Sequence, residues 1–322
     1  MNIQDQYEQG VNGWVPDHQE IERIATTHSA AVSESVITAL PTANEDTLLY
    51  QPLLKVHPTW RRGAQGIGDC VSWGYELACT MLMAIKSVTD GDQFLGEAAT
   101  EPIYGGSRVE ARGGRLGGYS DGSYGAAAAK WVNEWGVLVR SDYSKQTGNP
   151  EHNLTSYDKG KAKSWGNYGC GGQRDERGNG PLDQIARQHP VQAFSLVTDF
   201  ESAAKAIMNG YPVPVCSGQG FNSTRDADGF CRPQGSWAHC MLFGGVRFGA
   251  RPGLLLFQSW GHSTNGPRWP LDMPDSVAFC SWWVDVDVVN RMLRQRDSFA
   301  LSHFKGFPPQ KANWKKAFST WN

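Results

Sequence analysis

No stretch of this sequence approaches the ~20 consecutive apolar residues that cross a bilayer. The longest candidates are Met81 to Ile85 and Leu254 to Phe257, so no membrane span is expected. The opening MNIQDQYEQG has neither a basic segment nor an apolar one, and a secretory signal is not expected either. The seven cysteines (Cys70, Cys79, Cys170, Cys216, Cys231, Cys240 and Cys280) are odd in number and widely spread, and they contain no CxxC pair. That spacing argues for free thiols rather than a disulfide framework, and it offers no metal site. The formal charge is only -2, which gives no global pull toward nucleic acid. The phosphate-loop order GxxxxGK[ST] is missing, so nucleotide binding is not expected.

What is present fits a globular protein. The chain has 322 residues, 40% hydrophobic and 19% charged, which excludes disorder, collagen and coiled coil. The length suits about two domains or one two-lobed unit. With 37 glycines and 13 tryptophans, tight turns and large aromatic contacts are expected. Charge is uneven along the chain. Residues 1–55 carry eight acids against Arg23 and Lys55, and residues 291–322 carry seven bases against Asp297. Both ends read as extensions, either solvated or serving as docking arms.

The periodicity places one clear helix. Val71, Leu77, Ala78, Met81, Leu82 and Ile85 recur at the spacing of one helix face. A helix of about four turns is expected to begin near Cys70, with Asp69 as its N-cap. Residues 105–125 form a glycine-rich loop feeding the Ala-rich helix AAAAKWVNEWG, and residues 145–190 read as a polar surface excursion. Residues 1–55 show no sustained helix beyond Ile21 to Ala31. Further on, Phe200 to Asn209 reads as a short helix, and Val213 to Cys216, Ala238 to Phe248 and Gly253 to Ser259 read as strands. A helical first half before a strand-rich second half points to a segregated α+β fold.

A thiol becomes a nucleophile once ionised, which a helix N-terminus and a nearby imidazolium both favour. Cys70 meets the first condition, and His239 and Gln258 lie on expected strands that could supply an imidazole and an orienting amide. At these residues the chain resembles the papain-like cysteine peptidases. AQGIGDCVSWG, GGYSDGSYGAAAAKWVNEWGVLVRSDY, AIMNGYPVPV, SWAHCMLFGGVRF and GLLLFQSWGHSTNGPRW follow the family's landmarks in order, from about Trp60 to about Val289.

The resemblance implies a two-lobed fold, with a helical first lobe, an antiparallel β-barrel-like second lobe and a cleft between them. It implies Cys70 as nucleophile, His239 as its ion-pair partner and proton donor, Gln258 in the place of the orienting Asn, and Gln65 as an oxyanion donor. Trp260 would shield the His239–Gln258 bond, and Gly117 and Gly118 would pair with an extended substrate. No cofactor is implied. Three departures stand out. Ile67-Gly68-Asp69-Cys70-Val71 lacks the family's first Cys and its aromatic, and the lost disulfide anchor suits a reducing compartment. Gln65 precedes Cys70 by five positions, one fewer than in the family. The 239 - 70 = 169 separation exceeds the usual ~130 to 150.

These readings divide the chain into an extension at 1–55 (propeptide or docking arm), a peptidase-like domain at 56–290 and a basic extension at 291–322. The expected activity is peptide-bond hydrolysis through a thioester. Two alternatives stand beside it: a cell-wall (peptidoglycan) endopeptidase or amidase, and a docking component of a large assembly such as a phage virion, with partner proteins held by the extensions. The expected location is the cytoplasm or an assembled virion. Cys79 and Cys240 read as core, as do Trp131, Trp135, Trp165, Trp237, Trp269, Trp282 and Trp283. The other histidines, including His262, read as structural or exposed.

Overall fold

Helix α4 (Cys70–Asp90) forms the seam of the molecule, with the helical half on one side and the main sheet on the other. The computed structural model describes residues 12–42, 44–112, 121–172, 180–189, 191–261 and 264–309. Over its 21 residues α4 runs for about six turns, longer than its one apolar face predicts. Every residue from Cys70 to Leu82 is buried, and three of the polar residues in α4 are satisfied internally. The Ser72 hydroxyl donates to the Asp69 carbonyl at 2.7 Å, the Thr80 hydroxyl donates to Glu76 at 3.1 Å, and Glu76 pairs with buried Arg62. Left-handed Gly91, at φ 77°, ends the helix.

Residues expected to be an extension are folded into the body. Helices α1 (His18–Thr27) and α2 (Glu34–Thr38), strand β1 (Thr47–Leu48) and helix α3 (Tyr50–Val56) bury Ile21, Ile24, Ile37 and Leu53. The expected boundary at residue 55 falls inside α3, and the one at 290 falls inside α12 (Val286–Leu293). Helix α5 (Thr100–Arg108) takes in Gly105 and Gly106, and α6 (Gly125–Glu134) carries the alanine run. The expected polar excursion is largely helical and partly core. It holds α7 (Ser144–Thr147), α8 (Lys159–Tyr168) and α9 (Pro181–Ala186), with Leu154 and Trp165 buried.

The strands of the second half are β2 (Ala193–Leu196), β3 (Val213–Arg225), β4 (Cys231–Arg247), β5 (Gly253–Phe257), β6 (Ser281–Asp285) and β7 (Phe299–Ser302). Helices α10 (Phe200–Met208), α11 (Asp275–Ala278) and α12 lie among them. In the main antiparallel sheet β1, β4, β5 and β6 are neighbours in that order, and β3 pairs with the remaining stretch of β4; β2 and β7 form a separate pair. The sheet does not close into a barrel among the described residues. The architecture is α+β.

Close helix packing explains the glycines of α5. A Cβ on Gly106 would lie 2.1 Å from a ring atom of Trp131 on α6. Alanine is normally worth about 1 kcal/mol over glycine in a helix, but overpacking costs about 1 to 3 kcal/mol. Gly106→Ala is therefore expected to lower the urea midpoint; an unchanged or raised midpoint would contradict this packing.

Candidate active site

The start of α4 and the middle of β4 meet at a sulfur. The Cys240 backbone N–H donates to Cys70 Sγ at 3.3 Å, which sets His239, one residue earlier, at the same crossing. Gly74 permits this approach, since a Cβ there would stand 2.8 Å from the Cys240 sulfur. Asp69 does not cap the helix with its side chain, as the sequence suggested. Its backbone carbonyl accepts from Ser72 and Trp73 instead, and its carboxyl accepts from the Tyr157 hydroxyl at 2.9 Å. Burial pushes that carboxyl up to about 8.

Cys70 and His239 are both fully buried. Burial drives the Cys70 thiol well above its ordinary pKa, and the neighbouring Cys240 adds to the rise. Backbone N–H groups of Cys240 and Gly13 act in the opposite sense. Burial, with the Arg62 charge second, lowers His239 to about 3. Neither His239 ring nitrogen has a hydrogen-bond partner, so the expected ion pair is not formed in this state. The ring is held by stacking instead, 4.2 Å from Trp260 with planes 26° apart, and Trp237 meets Trp260 edge-on at 4.9 Å.

Gln258 and Gln65 sit close by but use their amides elsewhere. Gln258 Nε2 donates to the Gly261 carbonyl at 2.7 Å and its Oε1 accepts from the Trp260 N–H, so the expected bond to His239 is not made. Gln65 Nε2 donates to the Ile67 carbonyl at 2.9 Å, while its Oε1 accepts from Ser259 at 2.6 Å. Gly117, Gly118 and His262 lie outside the described residues.

Two features of this region were not legible in the sequence. Arg62 is buried and donates to Glu76, to the Trp73 carbonyl at 2.6 Å and to the Gln258 carbonyl at 3.3 Å, tying α4 to the chain beyond β5. The second is residues 12–15, which run beside the sulfur. The Gly13 and Trp14 N–H groups both donate to the Ala238 carbonyl at 3.0 Å, Ser123 N–H donates to the Gly13 carbonyl, and Val15 N–H donates to the Ser123 carbonyl. A Cβ on Gly13 would fall 1.9 Å from the Gly68 carbonyl oxygen. Trp14 anchors this strip, its indole N–H donating to Asp297 at 2.8 Å. The same carboxylate receives the Gly125 and Ala126 amides at the start of α6.

No protein-family model matches the chain, and no curated protein is detectably similar to it. Solved structures do match. Xylellain, a cysteine protease from Xylella fastidiosa, is similar at 16% identity with a TM-score of 0.52, over 91% of this chain and 96% of that one. The proform of the Amb a 11 cysteine protease, a major ragweed pollen allergen, is similar at 13% identity and a TM-score of 0.52, over 94% and 78%. At such identities the likeness shows the fold alone.

The buried groups fix a pH dependence. His239, at about 3, and His303, at about 4, are neutral in the fold but bind protons near 6.5 when unfolded, so they favour stability as pH rises toward 6.5. Asp69, at about 8, and Asp297, at about 7, stay protonated in the fold but ionise near 3.8 when unfolded, so they erode stability as pH rises to their native values. The two effects oppose one another below pH 6.5, and only the acids act above it. Urea unfolding should therefore show stability falling between pH 6.5 and 8, by about 1.4 kcal/mol per pH unit for each carboxyl still protonated. Asp69→Asn should flatten that fall; an unaltered slope would remove Asp69 from the account.

Proposed function

The fold is papain-like, and from that premise we propose that this protein is a cysteine peptidase with Cys70 as nucleophile and His239 as proton carrier. The observation that carries this reading is the crossing of α4 and β4, where the Cys70 sulfur at a helix start receives the amide next to His239. The thiolate would attack a peptide carbonyl carbon to give a tetrahedral oxyanion. Collapse to the thioester would expel the amine with a proton from His239, and water would then hydrolyse the thioester with His239 as base. The Cys70 backbone amide and the Gln65 side chain are the proposed oxyanion donors. For Gln65 this requires exchanging the Ile67 carbonyl for the oxyanion. Stacking on Trp260 supports the imidazole, and Gln258 would reach it by releasing Gly261. Gly117 and Gly118 remain proposed substrate contacts.

The described state is the covered one. Burial is the leading cause of both pKa displacements, and burial penalises charge on either group. Uncovering the sulfur would lower the thiol pKa and raise that of the imidazole, moving the pair toward thiolate and imidazolium. Residues 12–15 lie beside the Gly68 turn and the Ala238 carbonyl, which supports reading the N-terminal region as a propeptide. The peptidoglycan-directed alternative concerns the same chemistry on another substrate. A zymogram with casein and peptidoglycan side by side separates the two.

Two outcomes are expected. Cys70→Ala and His239→Ala should each abolish labelling by a thiol-directed peptidyl epoxide, and undiminished labelling of both variants would refute the assignment. Gly13→Ala should displace residues 12–15. An overpacking cost of about 1.4 kcal/mol corresponds to about a tenfold faster labelling of Cys70; a rate equal to the parent protein's would dismiss the gating role of this segment.

A further inference from the structure

Directly behind the proposed nucleophile, two more cysteines face each other across the sheet. Cys216 on β3 and Cys240 on β4 are paired in register, Cα opposite Cα, with Pro214 opposite Leu242 two residues along. The Cys216 N–H donates outward to the Ser298 hydroxyl at 3.3 Å, and the Cys240 N–H donates outward to Cys70 Sγ at 3.3 Å. Neither amide points at the opposite cysteine. Pro214, which has no N–H, fits the same phase of the ladder. The Cys216–Cys240 pair is therefore a non-hydrogen-bonded site, the narrow kind in which Cα atoms stand about 4.5 Å apart and side chains share one face. That spacing lies within the about 4.4 to 6.8 Å range that a disulfide spans. After burial, the neighbouring Cys240 is the main cause of the rise in the Cys216 thiol pKa.

We propose that Cys216 and Cys240 are a second reactive sulfur site, a dithiol that closes into a cross-strand disulfide and thereby resets the amide that Cys240 gives to the Cys70 sulfur. The oxidant is a low-molecular-weight disulfide. One cysteine thiolate attacks it and releases one small thiol, leaving a mixed disulfide. The other cysteine displaces the second small thiol and forms the Cys216–Cys240 bond. Two electrons and two protons pass from the protein to the reagent. Closure is slow, because both thiols are fully buried and exchange needs a thiolate. Tying the two β-carbons together shifts the Cys240 backbone, and the donor to Cys70 moves with it. Bond formation itself does not depend on the peptidase reading; only its effect on Cys70 does.

The test uses the full chain incubated with hydroxyethyl disulfide. After denaturation the titratable thiols, seven in the reduced chain, should fall by two. Peptide mapping should place the link between Cys216 and Cys240, and dithiothreitol should restore the count. Cys216→Ser and Cys240→Ala should each lose no further thiols. An unchanged count, or a link between other cysteines, overturns the proposal. In the Gly13→Ala background the closed pair should slow epoxide labelling of Cys70 by about tenfold. Equal rates in the two redox states overturn the coupling. A Cys70 that labels in neither state counts against the peptidase reading and leaves the mapped disulfide standing.

Discussion

Helix α4 packs closely on strand β4 at a residue that has no side chain, Gly74. At Gly74 the helix comes close enough that any β-carbon would strike the Cys240 sulfur and the Met241 carbonyl. Much follows from that approach. It brings the first residue of the helix against the Cys240 amide, sets His239 beside the crossing and buries the sulfur. Interiors are close-packed, so a contact of this kind has little room to adjust. The chemistry of the site is thus set first by backbone proximity and only then by side-chain identity.

A second constraint acts through one carboxyl. Asp297 gathers the Trp14 indole, the first two amides of α6 and its own stretch before β7 at one buried point. An anion at a helix start offsets unsatisfied amides there, while desolvation pushes the same carboxyl up to about 7. The N-terminal strip is held by this junction and by the Ala238 carbonyl. Burial disfavours charge on both the Cys70 thiol and the His239 imidazole.

Much of the fold was legible in the sequence for simple reasons. The period of residues 71–85 marked α4, and the apolar runs at 213–216, 238–248 and 253–259 marked the three central strands, although β3 and β4 proved longer. The polar region at 145–190 was misread because α7, α8 and α9 are short and carry few apolar residues, burying Trp165 and Leu154 without a repeating stripe. The short elements of residues 12–55 went unseen for a similar reason. Helices of five to ten residues leave a weak periodic signal, and β1 is two residues long.

Sequence alone determined which residue types were available: a cysteine at a helix start, a histidine on a later strand, a glutamine just past the next strand, a tryptophan after them, and no paired cysteines of metal spacing. Those are local facts, fixed by period and order. Tertiary structure decided that Gln258 turns to Gly261 and Trp260 rather than to His239, that Gln65 turns to Ile67, that Gly13 lies against Gly68, and that Cys216 faces Cys240. Each depends on which backbone groups are left unpaired where distant segments meet, and no spacing along the chain encodes that.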